Sequence, residues 1–446
     1  MNILYISAGT GSYYCGSCLR DLSLVDSLRK LGHTVDVVSL YLPLFPEDGT
    51  ECSNHPVFLG GVNIYLQEKF SFFRALPASM DRTLNNRGFL RRVAEKWSST
   101  NPVELGPLTL SMLQGEQGYQ AKEIQRFTRW LEQRPAPDVI CFSNAMLAGL
   151  SSAVRATLRV PIFCTLQGEE PFLDDLAEPY RAQAWNQLAK VAPGIDHYIA
   201  VSADYGNRIA ERLGIPADKI TVAYNGIKTE GFEPDTPALR PVEAHPVIGY
   251  FARICPHKGA HRLVEAFIGL DARLESLGSP VKPRLRLAGT VTQADEAYLQ
   301  QLIDQVAQAG LSERVDFQTN VNRAQKIRFL RSLSLFSVPA DKTESFGLYL
   351  LESLACGVPV VMPRHAAFPE VLEQTGGGLL YDPEAPESLG NALANALKDP
   401  EALQSLGEEG QSNIFRSFQA KHMAERVQAI FRSQSDISKH DRVRSQ

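Results

Sequence analysis

A chain of 446 residues exceeds what one hydrophobic core can serve and points to two domains or three. With 44% hydrophobic and 21% charged residues, it has the composition of a globular enzyme, which excludes disordered and fibrous classes. A net charge of -5 excludes a global attraction to nucleic acid and leaves only local basic patches open.

The opening MNILYISAGTGS lacks the basic segment and cleavage pattern of a signal peptide and runs straight into a strand. No apolar run approaches the roughly 18 residues of a membrane helix. The expectation is a cytoplasmic protein, soluble or at most peripheral on the inner membrane face. Residues 2–8 read as a strand, 18–32 as an amphipathic helix ending at Gly32, and 34–41 as the next strand. That βαβ opening implies a parallel sheet. Residues 42–62 read as loop, 63–68 as a strand, and 69–134 as a helical insertion with interruptions. Alternation then resumes with strands at 138–143, 160–167, 197–202 and 220–226. Between them come a helix to Leu158, a long helix over 171–192, and one through Leu213.

The proline-rich stretch Glu230 to Pro246 has no periodicity and reads as a linker, placed at 236–246 after a first domain of 1–235. A second alternation fills 247–416. Its strands fall at 247–253, 284–289, 314–319, 333–340, 358–363 and 377–382, with helices at 260–277, 294–309, 323–332, 346–355 and 386–405. A helix over 417–432 is a candidate to pack back on the first domain, and 433–446 reads as a disordered tail. The fold class is α/β, with two doubly wound Rossmann-like domains facing across a cleft.

Seven cysteines, an odd number, argue against a disulfide framework. Cys52, Cys141, Cys164, Cys255 and Cys356 read as small core residues. Cys15 and Cys18 form a C-x-x-C at a helix start. They read as two free thiols lining a loop, with a redox or metal role the weaker reading. His33, in a helix-to-strand turn, reads as structural.

The stretch Ala340 to Pro363, ADKTESFGLYLLESLACGVPVVMP, holds the densest candidate chemistry. Glu344 falls in a strand-to-helix loop, where open α/β sheets bind ligands. The amides of Ser345, Phe346, Gly347 and Leu348 fall at a helix N-terminus that favours phosphate. Glu352 stands eight positions on, among Leu350, Leu351, Leu354 and Ala355, and would be costly to bury unless hydrogen-bonded. Taken alone, this spacing also suits an ordinary buried helix. The loop ARICPHKG supplies Arg253 and Lys258, a cation pair suited to a diphosphate, or else two solvated surface charges.

In the first domain, glycines at 9, 11 and 16 do not spell G-x-G-x-x-G, and no acid ends the second strand. Gly11 reads instead as a place of close backbone approach to a ligand or to the facing domain. CTLQGEEPFLDDL offers Gln167 and the acids Glu169, Glu170, Asp174 and Asp175. These read either as sugar contacts or as acids complementing a helix dipole.

With these loops in hand, the sequence resembles the retaining GT-B glycosyltransferases of family 4 over most of its length. The resemblance rests on Arg253 and Lys258 in GYFARICPHKGAHRLVEAF and on Glu344 and Glu352 as E-x7-E in ESFGLYLLE, followed by SLACGVPVV. GHTVDVVS, HYIAVSA and KITVAYNGI resemble the family's first-domain framework. The resemblance implies transfer of a hexose from a nucleotide diphosphate sugar to a sugar, lipid-linked or small-molecule acceptor, with retention of configuration. It implies no metal and no cofactor, the nucleotide sugar being a co-substrate. Arg253 and Lys258 would then bind the diphosphate and steady the leaving charge. Glu344 would contact the sugar, the amides of 345–348 its phosphates, and Glu352 the ribose. Gln167 stands where the family commonly has His, which puts that donor contact in doubt.

Residues 67–97 carry seven Lys/Arg against three acids, interleaved with aromatics. They read as a helical pair capping the first domain, or as a peripheral membrane contact presenting a lipid-linked acceptor. A nicotinamide dehydrogenase is disfavoured by the missing glycine fingerprint. The other competing reading is a non-catalytic sugar-nucleotide binder of the same fold.

Overall fold

The computed structural model describes residues 1–9, 16–41, 58, 105–233 and 245–444, with side chains through 434. Gly11, Cys15, the strand expected at 63–68, the basic segment 67–97 and most of the expected linker lie outside the described residues. The chain forms two compact units, one of residues 1–225 and 420–446, the other of residues 226–419. The division therefore falls ten residues before 235, ahead of the proline-rich stretch, and the later crossing falls after Gln419.

The first unit holds six parallel strands: β1 (Asn2–Ser7), β2 (Thr34–Ser39), β3 (Val139–Phe142), β4 (Ile162–Leu166), β5 (His197–Ala200) and β6 (Ile220–Val222), in the order β2-β1-β3-β4-β5-β6. Every residue of β3 and β4 is buried, because helices cover both faces of the sheet. Register places Ile3 beside Val35 on one side and beside Val139 on the other.

The helix Gly16–Lys30 carries Leu24, Val25 and Leu28 into a core completed by the last helix, Ala420–Arg444, through Met423, Ala424, Val427, Ile430 and Phe431. Phe431 meets Phe163 edge-on, with ring centroids 4.7 Å apart. His33 fastens the same junction, with Nε2 2.6 Å from Gln428 Oε1.

The second unit holds β7 (Val247–Phe251), β8 (Arg284–Gly289), β9 (Val315–Thr319), β10 (Leu335–Phe336), β11 (Val360–Pro363) and β12 (Gly378–Tyr381). All are parallel, in the order β12-β11-β10-β7-β8-β9. Within each unit the loops leaving the carboxyl ends of the strands therefore emerge on one edge.

Several elements are shorter than their sequence runs. The helix expected over 171–192 is two, Glu170–Asp174 and Tyr180–Val191, because Pro179 cannot continue a helix. The run 260–277 divides at Gly269 into Ala260–Ile268 and Leu270–Ser276. The run 386–405 divides into Ser388–Lys398 and Pro400–Ser417, where Asp399 caps the Ala402 N–H at 3.0 Å and Pro400 opens the next helix. Strand 333–340 keeps only Leu335 and Phe336 in the ladder. Pro339 has no N–H to give, and the Ala340 N–H turns back on Val338.

The last helix continues to Arg444, through most of the stretch 433–446 that the sequence reads as a tail. Its packed first half supplies the nucleus, and residues 433–444 contain no Gly or Pro to end propagation.

Candidate active site

In the second sheet the chain adds β8 and β9 on one side of β7, then returns to add β10, β11 and β12 on the other. The reversal falls between β7 and β10, and ligands of open α/β sheets bind outside the carboxyl ends of the strands at such a switch point. The loop after β7 carries Arg253 and Lys258, and the loop after β10 carries Glu344. The topology thus sets the loop of Arg253 and Lys258 beside the loop of Glu344 and brings Lys258 against Glu344, 86 positions away in sequence.

Gly259 makes the approach of these loops feasible. It sits at φ +69°, and a Cβ there would lie 1.9 Å from the Pro339 carbonyl oxygen in the loop after β10. Only glycine allows both the left-handed backbone and the contact. The neighbouring residues stitch the loops together. The Asp341 N–H donates to the His257 carbonyl at 2.9 Å, and His257 Nδ1 lies 2.7 Å from Asp341 Oδ2.

Lys258 Nζ then donates to Glu344 Oε2 at 2.5 Å, and the Tyr349 hydroxyl donates to the same oxygen at 2.8 Å. The Ser345 N–H donates to Oε1 at 3.2 Å. Burial by itself would raise the Glu344 carboxyl, but Lys258, Tyr349 and the Phe346 N–H outweigh it and hold the group below the usual carboxylate range. Burial would likewise lower the Lys258 ammonium, and the facing Glu344 carboxylate raises it instead. Both groups are therefore charged near neutrality.

Arg253 is half exposed and is gripped from one side. Its Nε donates to Asp295 Oδ2 at 2.8 Å and its Nη2 to Asp295 Oδ1 at 3.2 Å. Asp295 is buried and is itself fixed by the Thr292 hydroxyl at 2.6 Å, in a capping box after β8.

The helix expected from Phe346 begins at Leu348, with Gly347 as its cap at φ +82°. The Ser345 and Phe346 amides both turn toward Glu344. Glu352 lies one turn into that helix, and its Oε1 accepts a hydrogen bond from the buried Lys326 at 2.6 Å.

In the first unit Gln167 is buried. Its amide nitrogen lies 3.1 Å from Asp21 Oδ1, 3.3 Å from Asp21 Oδ2 and 2.5 Å from the Ser143 carbonyl oxygen. Asp21 also accepts from Tyr5 at 2.6 Å and from Arg20 at 3.2 Å, yet burial raises its carboxyl overall. Glu169 is buried beneath four donors: the N–H groups of Ala145 at 2.8 Å, Gln167 at 3.1 Å and Gly168 at 3.0 Å, and the Tyr205 hydroxyl at 2.7 Å. Glu170 pairs with Arg208 and, at 3.4 Å, with Arg212.

Sequence reasoning missed Asp295, Thr292, Tyr349, Lys326 and the His257–Asp341 pair. Thr292 and Asp295 carried a readable signal, the T-x-x-D of a capping box at a helix start. Lys326 and Tyr349 carried none, because helical spacing does not say which neighbour a side chain will meet.

The family model for "Glycosyl transferases group 1" matches residues 232–413, which include Arg253, Lys258, Glu344 and Glu352. The model for "Glycosyltransferase Family 4" matches residues 91–230. The chain belongs to glycosyltransferase family 4.

Among its curated family relatives, the lipopolysaccharide core biosynthesis mannosyltransferase of Rhizobium meliloti is 31% identical over 247 residues, 52% of this chain and 65% of that protein. The D-inositol 3-phosphate glycosyltransferase of Thermobifida fusca is 27% identical over 205 residues, 44% and 46% of the two chains. The chain spans about half to two thirds of the length of the curated relatives it matches. Among solved structures, Anabaena HepE in complex with UDP is similar in fold, with a TM-score of 0.66 at 18% identity over 97% of this chain and all of that one. No helix among the described residues is long and apolar enough to cross a membrane.

Proposed function

We propose that this family 4 glycosyltransferase moves a hexose from a nucleotide diphosphate sugar to a sugar, lipid-linked or small-molecule acceptor, with retention of configuration and without a metal ion. The observation that carries the reading is the Lys258–Glu344 pair, with Arg253 on the same loop as Lys258, at the switch point of the second sheet. A departing nucleoside diphosphate leaves with accumulating negative charge. Arg253 presents a planar fork and Lys258 a compact ammonium, two fixed cations of the kind that stabilise developing charge.

Glu344, kept ionised, accepts hydrogen bonds from sugar hydroxyls and orients the anomeric carbon. As substrate arrives, Lys258 exchanges part of its contact with Glu344 for the diphosphate. Glu352 accepts from the ribose hydroxyls while Lys326 balances its charge. The leaving phosphate assists removal of the acceptor proton on the same face, so that no protein nucleophile is needed. The curated relatives named above are a mannosyltransferase of lipopolysaccharide core biosynthesis and a D-inositol 3-phosphate glycosyltransferase, which favours a hydroxylated acceptor carrying or joined to an anionic group.

Thermal-shift screening against uridine, guanosine and adenosine diphosphate hexoses identifies the donor. A bound donor at a hundredfold excess over its Kd adds about 2.7 kcal/mol of stability. Turnover of that donor should survive chelation by EDTA and disappear in Lys258→Ala and Glu344→Gln. Unchanged turnover in both variants overturns the reading.

A further inference from the structure

We infer that Tyr349 is a positioning residue for the sugar-contacting carboxylate: it aims Glu344 at the donor hexose and thereby sets how strongly the enzyme prefers a nucleotide sugar over the free nucleotide. The inference rests on the reading of Glu344 as the donor-sugar contact.

A lysine does not hold a carboxylate in one orientation. Its ammonium is a point charge on a four-carbon stem, with three donors that rotate freely. Lys258 is partly exposed as well, its side chain retaining 28% of its accessible surface. The Ser345 N–H steadies Oε1, so it is Oε2, the oxygen facing Lys258, that needs a rigid partner of its own if it is to meet a particular sugar hydroxyl.

Tyr349 has the required properties. It is the second residue of the helix Leu348–Ala355, so its backbone is fixed. Its ring is packed between Phe336 and Phe368, with centroids 6.2 and 6.4 Å away, and only 9% of the residue is exposed. A ring held on two sides has few rotamers, so the hydroxyl direction is set by packing. That hydroxyl donates to Glu344 Oε2 at 2.8 Å, while the Lys258 ammonium lies 5.8 Å from the ring centroid. Tyr349 thus touches both members of the ion pair, through its oxygen and through its face. Burial, and then the Glu344 charge, push the phenol well above its ordinary value, so it remains a donor throughout the physiological range.

The test uses the full chain with Tyr349→Phe, Glu344→Gln and the double variant. Phenylalanine keeps the ring packing and removes one oxygen. Affinities for the uridine, guanosine and adenosine diphosphate hexoses and for the three free diphosphates are measured by calorimetry. For the donor that binds, Tyr349→Phe should weaken the nucleotide sugar about tenfold, the scale of one lost hydrogen bond to a charged group. The matching free diphosphate should stay within about twofold. In the Glu344→Gln background the Tyr349→Phe change should add little, because a residue acting through Glu344 has nothing left to position.

A purely structural tyrosine would weaken both ligands equally and add fully in the double variant, and either result overturns the inference. Failure of all six nucleotides to bind, or a Glu344→Gln protein that keeps its preference for the sugar form, overturns the underlying reading and the inference with it. Loss of that preference in Glu344→Gln but not in Tyr349→Phe overturns the inference alone.

Discussion

The loop after β4 and the loop after β10 both leave the carboxyl edge of a parallel sheet, and both carry buried or half-buried glutamates. They commit those carboxylates differently. Glu169 is saturated by three backbone N–H groups and a tyrosine hydroxyl of its own unit. Backbone donors cannot be displaced by a ligand without unfolding the loop, so Glu169 acts as a structural knot. Glu344 is held by Tyr349 and by neighbouring N–H groups, but its charged partner Lys258 is a flexible side chain that can shift to admit a ligand. A carboxylate is available for binding when its partners can be exchanged, and depth of burial alone does not decide it.

The sharpest break in this contrast would come from activity. Glu344→Gln and Lys258→Ala should each lower donor turnover by about 10²-fold or more in protein that still melts cooperatively. Steady-state kinetics beside calorimetric melting separates the two effects. Glu169→Ala should do the reverse. Stranding several buried N–H groups should cost about 3 kcal/mol of stability, read by urea unfolding, with turnover per folded molecule retained.

Asp295→Asn comes next. It keeps the shape of the Arg253 partner and removes its charge, so the donor KM should rise roughly fivefold to tenfold, with kcat less affected. A fall in kcat at constant KM would instead place Arg253 in the transition state alone.

The acid limb of stability gives a smaller test. The carboxyls of Glu344 and Asp341 both titrate below their unfolded values, against burial that would raise them, the first through Lys258 and the second through His257 and Thr343. The unfolded chain therefore binds more protons as pH drops below about 4.5, and the stability these groups supply is fully present above that pH and lost beneath it. Glu344→Gln should flatten this limb by removing one of the two contributions, as seen in urea midpoints between neutral and acid pH. Smallest of all, Arg212→Ala removes a partly exposed partner of Glu170 and Asp174 and should cost about 1 kcal/mol or less. A larger loss would mean that Glu170 shares the fixed role of Glu169.

Much of this molecule was legible in the chain. The near-continuous apolar runs of β1, β3 and β4 announce strands buried on both faces, and the helices between them require parallel pairing. The loops bearing Arg253, Lys258 and Glu344 could be placed at strand ends from the like runs of β7 and β10, and the motifs within them carry the family resemblance. Interruptions were harder to read. Pro179, Gly269 and Pro400 divided helices that apolar periodicity alone would have joined, because periodicity records which face is apolar and not whether the backbone continues.

What tertiary structure decided is the partnership of each charge. Spacing set Glu344, Glu352, Glu169 and Glu170 on an equal footing as candidate ligands. Only the folded sheet order, with β10 returning beside β7, puts Lys258 against Glu344. Only the packing of Tyr205 and the Ala145 amide closes over Glu169. The linear sequence determines local backbone preference and the pattern of burial, which act over a few residues. Hydrogen-bond partners far apart in the chain, such as Lys258 and Glu344 at 86 positions, are set by the crossing of elements. That crossing converts one glutamate into scaffold and leaves the other poised beside a cation.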